Sequence, residues 1–323
     1  MSSASIPTEK TPLSTQYGGH HSGTWVDRLP PSWTPYIQLS RLSPPAGLFL
    51  IFLPHLFGAL HAAITHNLPL STLLPVTAYL LLGSLFFSNA AHAWNDLVDA
   101  PIDAKIERTK TRPIPRGAVS PRAALVFTLS QALAAGVFLL ALPKDAHIAA
   151  VATVVGTVYY PYAKRHSHFV QFLLGFCLTW GIVVGSAAMG TVRPWRDGST
   201  GCLVGAVGLW VVGFDTIYAH QDLRDDLRVG VRSMAVLVRG WARGFLVGVW
   251  VCMSLLLVGS GWFGGMGVAW YVVGVGGVDL EDPASCWAWF SQGFWVTGAA
   301  VAAGLLGEYV FQVGGFKVSL YGV

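Results

Sequence analysis

Residues 69–103 read PLSTLLPVTAYLLLGSLFFSNAAHAWNDLVDAPID, an uncharged apolar run that ends in a cluster of carboxylates. A helix rises about 1.5 Å per residue, so roughly 20 such residues cross about 30 Å of hydrocarbon. Asn95, Asp96, Asp99 and Asp103 follow the apolar run directly. The stretch therefore predicts a membrane-spanning helix with an acidic group at its end.

The composition of the whole chain extends this prediction. Of the 323 residues, 53% are apolar and only 11% are charged, whereas about 25% of an ordinary globular protein is charged. The mean hydropathy is +0.55. The 37 glycines and 13 tryptophans are typical of closely packed membrane helices and of aromatic belts at the membrane interface. These values exclude a soluble two-domain protein and predict an all-α, polytopic membrane protein.

Outward from the opening stretch, further apolar segments of similar length follow along the chain. We predict that residues 1–40 form a disordered polar tail, that 41–314 form one transmembrane domain, and that 315–323 are a C-terminal tail. The segment 261–278 is short and rich in glycine, so the expected number of spans ranges from seven to nine, with nine preferred. The nine predicted spans are 45–66, 69–92, 122–142, 147–163, 168–190, 201–220, 236–258, 261–278 and 293–313.

The basic residues are distributed unevenly between the loops. With nine spans, 16 of the 20 Lys and Arg residues lie on the side that also carries the N-terminal tail and the acidic cluster. Cytoplasmic loops of membrane proteins carry an excess of Lys and Arg. This side is therefore expected to face the cytosol, or the matrix if the protein is mitochondrial.

A weak internal repeat relates two acidic segments. NDLVD at 95–99 aligns with QDLRD at 221–225, an offset of 126 residues, and each segment follows an apolar span. Parallel repeats of this kind place paired sites around a shared cavity. The offset supports a four-helix unit that is used twice.

The acidic residues have the spacing of ligands to a cation. Asp96, Asp99 and Asp103 fall within about 60° of one another on a helix, and Pro101 is expected to bend or end that helix so that Asp103 comes from a turn. Like charges at this spacing repel, so a cation must compensate them. Salt bridges to Arg and Lys are one explanation; we favour Mg²⁺, which takes oxygen ligands and bridges carboxylates to substrate phosphates. The second cluster comprises Asp215, Tyr218, Asp222, Asp225 and Asp226, which are likewise expected to lie on one helical stripe.

Basic residues accompany both acidic clusters. Carboxylates that hold a metal, beside cations that hold an anion, describe a diphosphate site. We interpret Lys105, Lys110, Arg239 and Arg243 instead as anchors at the membrane surface. The candidates for contact with an anion are Arg108, Arg112, Arg116, Lys164, Arg165, Arg224, Arg228 and Arg232.

The strings NDLVDAPID (95–103), ERTKTRP (107–113), YPYAKR (160–165) and DTIYAHQDLRDD (215–226) resemble the UbiA superfamily of intramembrane prenyltransferases, and among them the 4-hydroxybenzoate polyprenyltransferases. The resemblance runs from about residue 41 to near the C-terminus. It implies nine helices around a central cavity, a cap of cytosolic loops, and Mg²⁺ that holds the diphosphate of an isoprenoid donor.

The family's functional residues carry over onto matching positions of this sequence. The resemblance implies metal ligands at Asp96, Asp99, Asp103, Asp222, Asp225 and Asp226. It implies substrate contacts at Asn95, Arg41, Arg112, Lys164, Arg165, Arg232 and Tyr160, with Arg41 facing the aromatic acceptor. The residues expected to take part in catalysis are Asp96, Asp99, Asp222 and Tyr218. A tyrosine near the allylic centre would stabilise a carbocation through its ring face, although membrane tyrosines also serve as interfacial anchors.

The resemblance is strongest to fungal meroterpenoid enzymes, through DTIYAHQDLRDD and DPASCW (282–287). It implies transfer of a farnesyl group from farnesyl diphosphate to a ring carbon of a phenolic acid or polyketide, at the endoplasmic reticulum with the site facing the cytosol. Residues 1–40 do not resemble an Arg-rich mitochondrial presequence. The alternative within the family is ubiquinone biosynthesis by a 4-hydroxybenzoate polyprenyltransferase in the mitochondrial inner membrane.

Other classes of protein fit the sequence less well. A cation-coupled transporter would carry its acids near mid-membrane, whereas here they lie at span ends. The four cysteines show no C-x-x-C spacing, which argues against a zinc site or a disulfide framework. The net charge of +4 is modest, so a nucleic acid is not an expected partner, and no obligate protein partner is implied.

Overall fold

The computed structural model describes residues 25–266 and 283–313, and for 283–296 the backbone alone. Throughout these ranges the chain is helical and contains no strand. The helices are α1 (Thr34–Leu39), α2 (Ala46–Thr65), α3 (Leu70–Asp103), α4 (Pro121–Leu140), α5 (Lys144–Ala163), α6 (Val170–Thr179), α7 (Gly181–Ala188), α8 (Gly198–Ala219), α9 (Leu223–Val229), α10 (Met234–Val238), α11 (Ala242–Gly264) and α12 (Pro283–Val313).

Six helical segments of the described chain are long and apolar enough to cross a membrane. The six are α2, α3, α4, α6 with α7, α8 with α9, and α11. On α4, Leu133 and Leu140 are 73% and 76% exposed, as expected for a face that contacts lipid. The prediction of an all-α membrane protein is thus confirmed.

The number of nine spans is not established. Helices α5 and α12 lie where the spans 147–163 and 293–313 were predicted. The predicted span 261–278 falls largely outside the described residues, and its first four residues belong to α11.

The predicted tail needs a correction. Residues 25–40 are not disordered: Trp25–Arg28 form a 3₁₀ turn, α1 follows it, and Val26 and Leu39 are fully buried. Two buried aliphatic side chains stabilise this segment against the membrane domain because apolar burial is favourable. Residues 1–24 and 315–323 lie outside the described part of the chain.

Glycines allow α2 to pack closely against α6 and α7. A Cβ atom at Gly58 would lie 1.9 Å from the backbone oxygen of Ile182, and one at Gly185 would lie 2.0 Å from the backbone oxygen of His55. Small residues at such crossings let two backbones approach, the usual basis of helix association in membranes. This contact fixes the position of α2, which lines the cavity described below.

The internal repeat is visible in the helices. Moved by 126 residues, α3 falls on 196–229, where α8 and α9 form one continuous candidate span from Gly198 to Val229. The same shift brings α2 onto α6 and α7, and α4 onto α11. The two acidic segments therefore occupy equivalent places in two copies of one helical unit.

Candidate active site

The polar ends of α3, α5 and α8 meet the loop 104–120 around a cavity of about 240 Å³. One part of its wall carries charged and polar side chains, and the rest is apolar, with Phe87, Leu174 and Phe214 among its members. The charged and polar residues named from the sequence that line it are Arg41, Asn95, Asp103, Arg108, Arg112, Tyr160, Lys164, Asp215, Tyr218, Asp222, Asp226 and Arg232. The two acidic segments thus face one common hollow.

The first acidic segment lies on helix and is buried. Helix α3 continues through Pro101 to Asp103, so the prediction that Asp103 comes from a turn was wrong. A proline removes one backbone hydrogen bond, the one that its own N–H would donate to the carbonyl four residues earlier, and here that loss falls in the last turn of the helix. The carboxylates of Asp96, Asp99 and Asp103 are at most 6% exposed.

Each carboxylate of the first segment contacts a cation. Arg41 Nη2 donates to Asp96 Oδ1 at 2.7 Å. Arg112 Nη1 donates to Asp103 Oδ2 at 2.8 Å and to Asp96 Oδ1 at 3.3 Å. Lys164 Nζ donates to Asp99 Oδ2. Asp96 and Asp99 lie behind these cations and do not line the cavity directly.

The second acidic segment is broken by a 3₁₀ turn at His220–Asp222, so its acids do not form the single helical stripe predicted. Arg108 binds Asp222 in a bidentate manner: Nε donates to Oδ1 at 2.9 Å and Nη2 to Oδ2 at 2.5 Å. Arg108 Nη1 also donates to the Tyr218 hydroxyl at 2.9 Å. Asp226 is buried and lines the cavity, and it forms no ion pair within the described residues.

Two predicted site residues point elsewhere. Asp225 Oδ2 accepts from the Glu107 backbone N–H at 3.0 Å, and Asp225 Oδ1 pairs with Arg228 at 3.0 Å. Arg165 is exposed and donates to the backbone oxygen of Val98 at 2.8 Å. Neither residue lines the cavity.

Other lining residues were missed when the site was predicted. Arg108 was named among the basic residues, but Arg112 was preferred; the signal was its place four residues before Arg112 in ERTKTRP. His55 and His92 also line the cavity. No spacing rule singles out a lone histidine within an apolar helix, so the sequence contained no signal for either.

The two arginines of the loop 104–120 keep their charge. Burial alone would lower the pKa of Arg108, but Asp222 and then Tyr218 outweigh it, so the pKa lies above its usual value. For Arg112 burial is likewise outweighed, here by Asp103 and then Asp96, and its pKa is also raised. The cavity wall therefore presents fixed positive charge to an anion.

The first acidic segment has the chemistry of a hard-metal site, although no complete site is formed. Among the described residues, Asn95 Oδ1, Asp96 Oδ2 and Asp99 Oδ1 are buried oxygens that have no hydrogen-bond partner. Unpaired buried oxygens are costly, and oxygen donors suit Mg²⁺. In the described part of the chain, no three His, Cys, Asp or Glu side chains are grouped closely enough to hold a metal. The side chains of Asn95, Asp96 and Asp99 therefore offer the type of donor atom, oxygen, that Mg²⁺ prefers.

A second, larger cavity of about 390 Å³ adjoins the first between α3, α4 and α5. Its wall is almost entirely apolar, with Leu80, Phe138 and Leu139 as examples. The two cavities share five wall residues, His55, Phe87, Ala91, Thr153 and Thr157. We call the second cavity the apolar chamber.

Comparison with known proteins places the chain among membrane prenyltransferases. The model of the UbiA prenyltransferase family matches residues 51–298. Prenyltransferase ascA of Acremonium egyptiacum is 35% identical, with 84% of this chain and 82% of the relative covered. DMOA farnesyltransferase nvfB of Aspergillus novofumigatus is 32% identical (79% and 81%). Mitochondrial 4-hydroxybenzoate polyprenyltransferase of Saccharomyces cerevisiae is 33% identical (91% and 81%).

Solved structures agree with the fold. A UbiA homolog from Archaeoglobus fulgidus, bound to GPP and Mg²⁺, matches with a TM-score of 0.56 at 14% identity, over 87% of this chain and 99% of that one. At this level of identity the likeness concerns the fold alone.

Proposed function

The chain belongs to the UbiA prenyltransferase family, and from that premise we propose that it transfers a farnesyl group from farnesyl diphosphate to a ring carbon of a phenolic acid or aromatic polyketide. It is an integral membrane protein and an aromatic prenyltransferase; the donor length and the acceptor are the proposed part. One observation carries the proposal: a cavity with a cationic wall adjoins an apolar chamber and shares five wall residues with it. That shape is complementary to an amphiphile with an anionic head and a long hydrocarbon tail.

The diphosphate would bind at the charged wall. Arg108, Arg112 and Lys164 line the cavity while they contact carboxylates of both acidic segments, so positive charge and carboxylate oxygens meet at one part of the wall. Guanidinium groups bind phosphate oxygens in a bidentate manner. These cations would stabilise the negative charge that develops on the leaving group as the allylic C–O bond breaks.

Mg²⁺ is the metal that we propose for this site. The ligands would come from Asn95, Asp96 and Asp99, whose buried oxygens lack partners, and from Asp222 and Asp226, which line the cavity. When bound, Mg²⁺ supplies charge neutralisation of a diphosphate leaving group. The solved homolog with GPP and Mg²⁺ supports this choice.

The hydrocarbon tail would occupy the apolar chamber. Burial of apolar surface supplies roughly 25 cal/mol per Å², so a farnesyl chain gains affinity from the length of wall that it contacts. A water-poor wall also protects an allylic cation from quenching. The relative that is named a farnesyltransferase supports a donor of this length.

The acceptor would lie between the charged wall and the chamber. Arg41 lines the cavity and would bind a carboxylate of the acceptor. The rings of Tyr160 and Tyr218, which also line it, would stabilise the allylic cation by roughly 0.5–2 kcal/mol. Diphosphate leaves as the allylic C–O bond breaks, a ring carbon of the acceptor then forms the new C–C bond to the allylic cation, and the ring proton passes to the released diphosphate, which restores aromaticity.

A second candidate function is the 4-hydroxybenzoate polyprenyltransferase reaction of ubiquinone biosynthesis. It is favoured by the mitochondrial yeast relative at 33% identity. For the first candidate function we propose the endoplasmic reticulum, and the basic loops favour the cytosolic side for the charged wall. A cation-coupled transporter is disfavoured because the acids lie at helix ends and are paired with Arg and Lys.

The test is prenyl transfer in microsomes supplied with Mg²⁺, an isoprenoid diphosphate and an aromatic acid. We expect Asp96→Asn and Asp222→Asn to lower turnover at least about 100-fold, the usual scale for losing one group that stabilises transition-state charge. Membrane insertion and detergent-solubilised size should stay unchanged, because the amide keeps the shape of the side chain. Asp145→Asn is the matched control, because Asp145 lies in the first turn of α5, at the end of that helix away from the cavity. Full turnover by both site variants would contradict the proposal.

A second experiment distinguishes the two candidate functions. Donors of 10, 15 and 20 carbons are each offered with 4-hydroxybenzoic and orsellinic acids, and the mass of the product shows which donor and acceptor the protein uses.

A further inference from the structure

Two histidines that the proposed chemistry does not use line the cavity. His55 on α2 and His92 on α3 both face it, and His55 also borders the apolar chamber. Each ring is held in the same way by its own helix. Nδ1 of His55 lies 2.8 Å from the Ile51 backbone oxygen, and Nδ1 of His92 lies 2.8 Å from that of Ser88.

This contact determines the tautomer of each ring. A carbonyl oxygen only accepts, so Nδ1 must carry the hydrogen and donate it. In a neutral imidazole Nε2 is then left with a lone pair and no hydrogen. Within the described residues neither Nε2 atom has a hydrogen-bond partner, and neither is enclosed by protein. By contrast, Nε2 of His61 is paired with Ser199 Oγ at 2.7 Å.

We propose that Nε2 of His55 and Nε2 of His92 accept hydrogen bonds from two phenolic hydroxyl groups of the aromatic acceptor, so that the cavity selects dihydroxylated rings. The assignment rests on the proposed function, because it presupposes an aromatic acceptor in this cavity. A ring nitrogen with a lone pair attracts an O–H donor and repels a carboxylate oxygen. The carboxylate of the acceptor therefore belongs on the side of Arg41, and the hydroxyls belong on the histidine side.

The position of His55 is set by helix packing. A Cβ atom at Gly181 would lie 2.8 Å from His55 Nδ1 and 2.9 Å from Cε1, so the first residue of α7 confines the ring against α2. His92 is fixed by Ser88, whose hydroxyl oxygen also lies 3.2 Å from Nδ1. Because both imidazole rings are already fixed before a ligand binds, they lose little conformational freedom on binding. This favours selection between acceptors that differ in their hydroxyl groups.

A monohydroxylated ring would cover both histidines but pair with only one Nε2, so the other acceptor would be buried by the ligand without a donor. An unpaired buried acceptor weakens binding by roughly 10-fold to 100-fold. We therefore expect the wild-type protein to prefer 2,4-dihydroxybenzoate over 4-hydroxybenzoate by about that factor in kcat/KM. Methylation of either hydroxyl should cause a similar loss, because the hydrogen is removed while the oxygen stays.

The variants His55→Asn and His92→Asn test the two nitrogens separately. An asparagine amide can still donate to the i−4 carbonyl, but it has no group at the position of Nε2. Each variant should lower kcat/KM for the dihydroxylated acceptor roughly 10-fold and remove the penalty for methylating one hydroxyl. For His92→Asn the KM for farnesyl diphosphate should not change, because His92 does not border the apolar chamber. His92→Gln, whose amide oxygen reaches the position of Nε2, should restore part of the activity.

The control is His66→Asn, because His66 is an exposed histidine that follows the last residue of α2, at the end away from the cavity. If the wild-type protein prenylates no aromatic acceptor, the proposed function fails. If it prenylates acceptors and both Asn variants keep the wild-type preference between hydroxylated and methylated rings, the histidine assignment alone is overturned.

Discussion

Arg112 shows what could and could not be read from single residues. The family resemblance implied that Arg112 contacts the diphosphate, and in the structure Arg112 contacts Asp96 and Asp103. Two explanations of the acids remained open, ion pairs or metal. The structure contains the ion pairs, and the metal remains a proposal. The choice of partners was not predictable because it depends on how the loop 104–120 folds back over α3.

The adjacent acids Asp225 and Asp226 have different surroundings: Asp226 lines the cavity, and Asp225 does not. We expect Asp226→Asn to lower kcat/KM at least about 100-fold, since a cavity-lining carboxylate is removed. Asp225→Asn should keep activity within about threefold, because its partners are a surface arginine and a backbone N–H, and exposed pairs contribute little. Turnover of both variants in microsomes measures this. A loss for Asp225→Asn as large as that for Asp226→Asn would contradict the orientation of α9.

At the scale of helices, apolar length was the most reliable signal. The predicted spans 45–66 and 122–142 agree with α2 and α4 to within two residues, because lipid requires an uninterrupted helix of set length. Local breaks were less predictable. Helix α3 passes through Pro101, while the chain tightens into a 3₁₀ turn at His220–Asp222 without any proline. At this turn, tertiary contacts such as that between Arg108 and Asp222 override the preference of the local sequence for a continuous α-helix.

The crossing of α2 with α7 predicts a stability effect. Gly185→Ala should destabilise the protein by at least about 1–3 kcal/mol, since the new methyl group would meet backbone that cannot move aside. Gly248→Ala on α11 is the matched control, because a Cβ atom there meets no atom within 4 Å and alanine favours helix. Thermal unfolding of the purified protein in detergent measures both. An equal melting temperature for the two variants would show that α2 and α7 are not in close contact.

At the scale of the whole molecule, the cavity and the apolar chamber adjoin and share five wall residues, and the wall changes from charged in the first to apolar in the second. The sequence indicated a shared hollow through the repeat and through the family resemblance. It did not indicate the depth of the chamber, since depth depends on how α3, α4 and α5 pack. The chamber is therefore where the donor length is expected to be selected.

A single substitution in the chamber tests this selection. Gly136 lines the chamber, and a Cβ atom there meets no atom within 4 Å. Gly136→Leu should fill part of the space and lower kcat/KM for farnesyl diphosphate at least about 10-fold, while a 10-carbon donor is affected less. Gly248→Leu controls for the added side chain in a helix. Product mass with donors of 10, 15 and 20 carbons measures the preference, and an unchanged preference would show that the tail lies elsewhere.

The contact between Arg108 and Asp222 joins the two copies of the repeated unit, and so does the hydrogen bond from the Arg232 backbone N–H to the Lys164 backbone oxygen at 2.8 Å. Neither copy alone encloses the reaction space. If the repeat arose by gene duplication, the half-length ancestor worked as a pair of identical subunits. Fusion then freed each copy to diverge, so that both acidic segments still face the cavity while Arg108 and Arg112 come from the first copy alone.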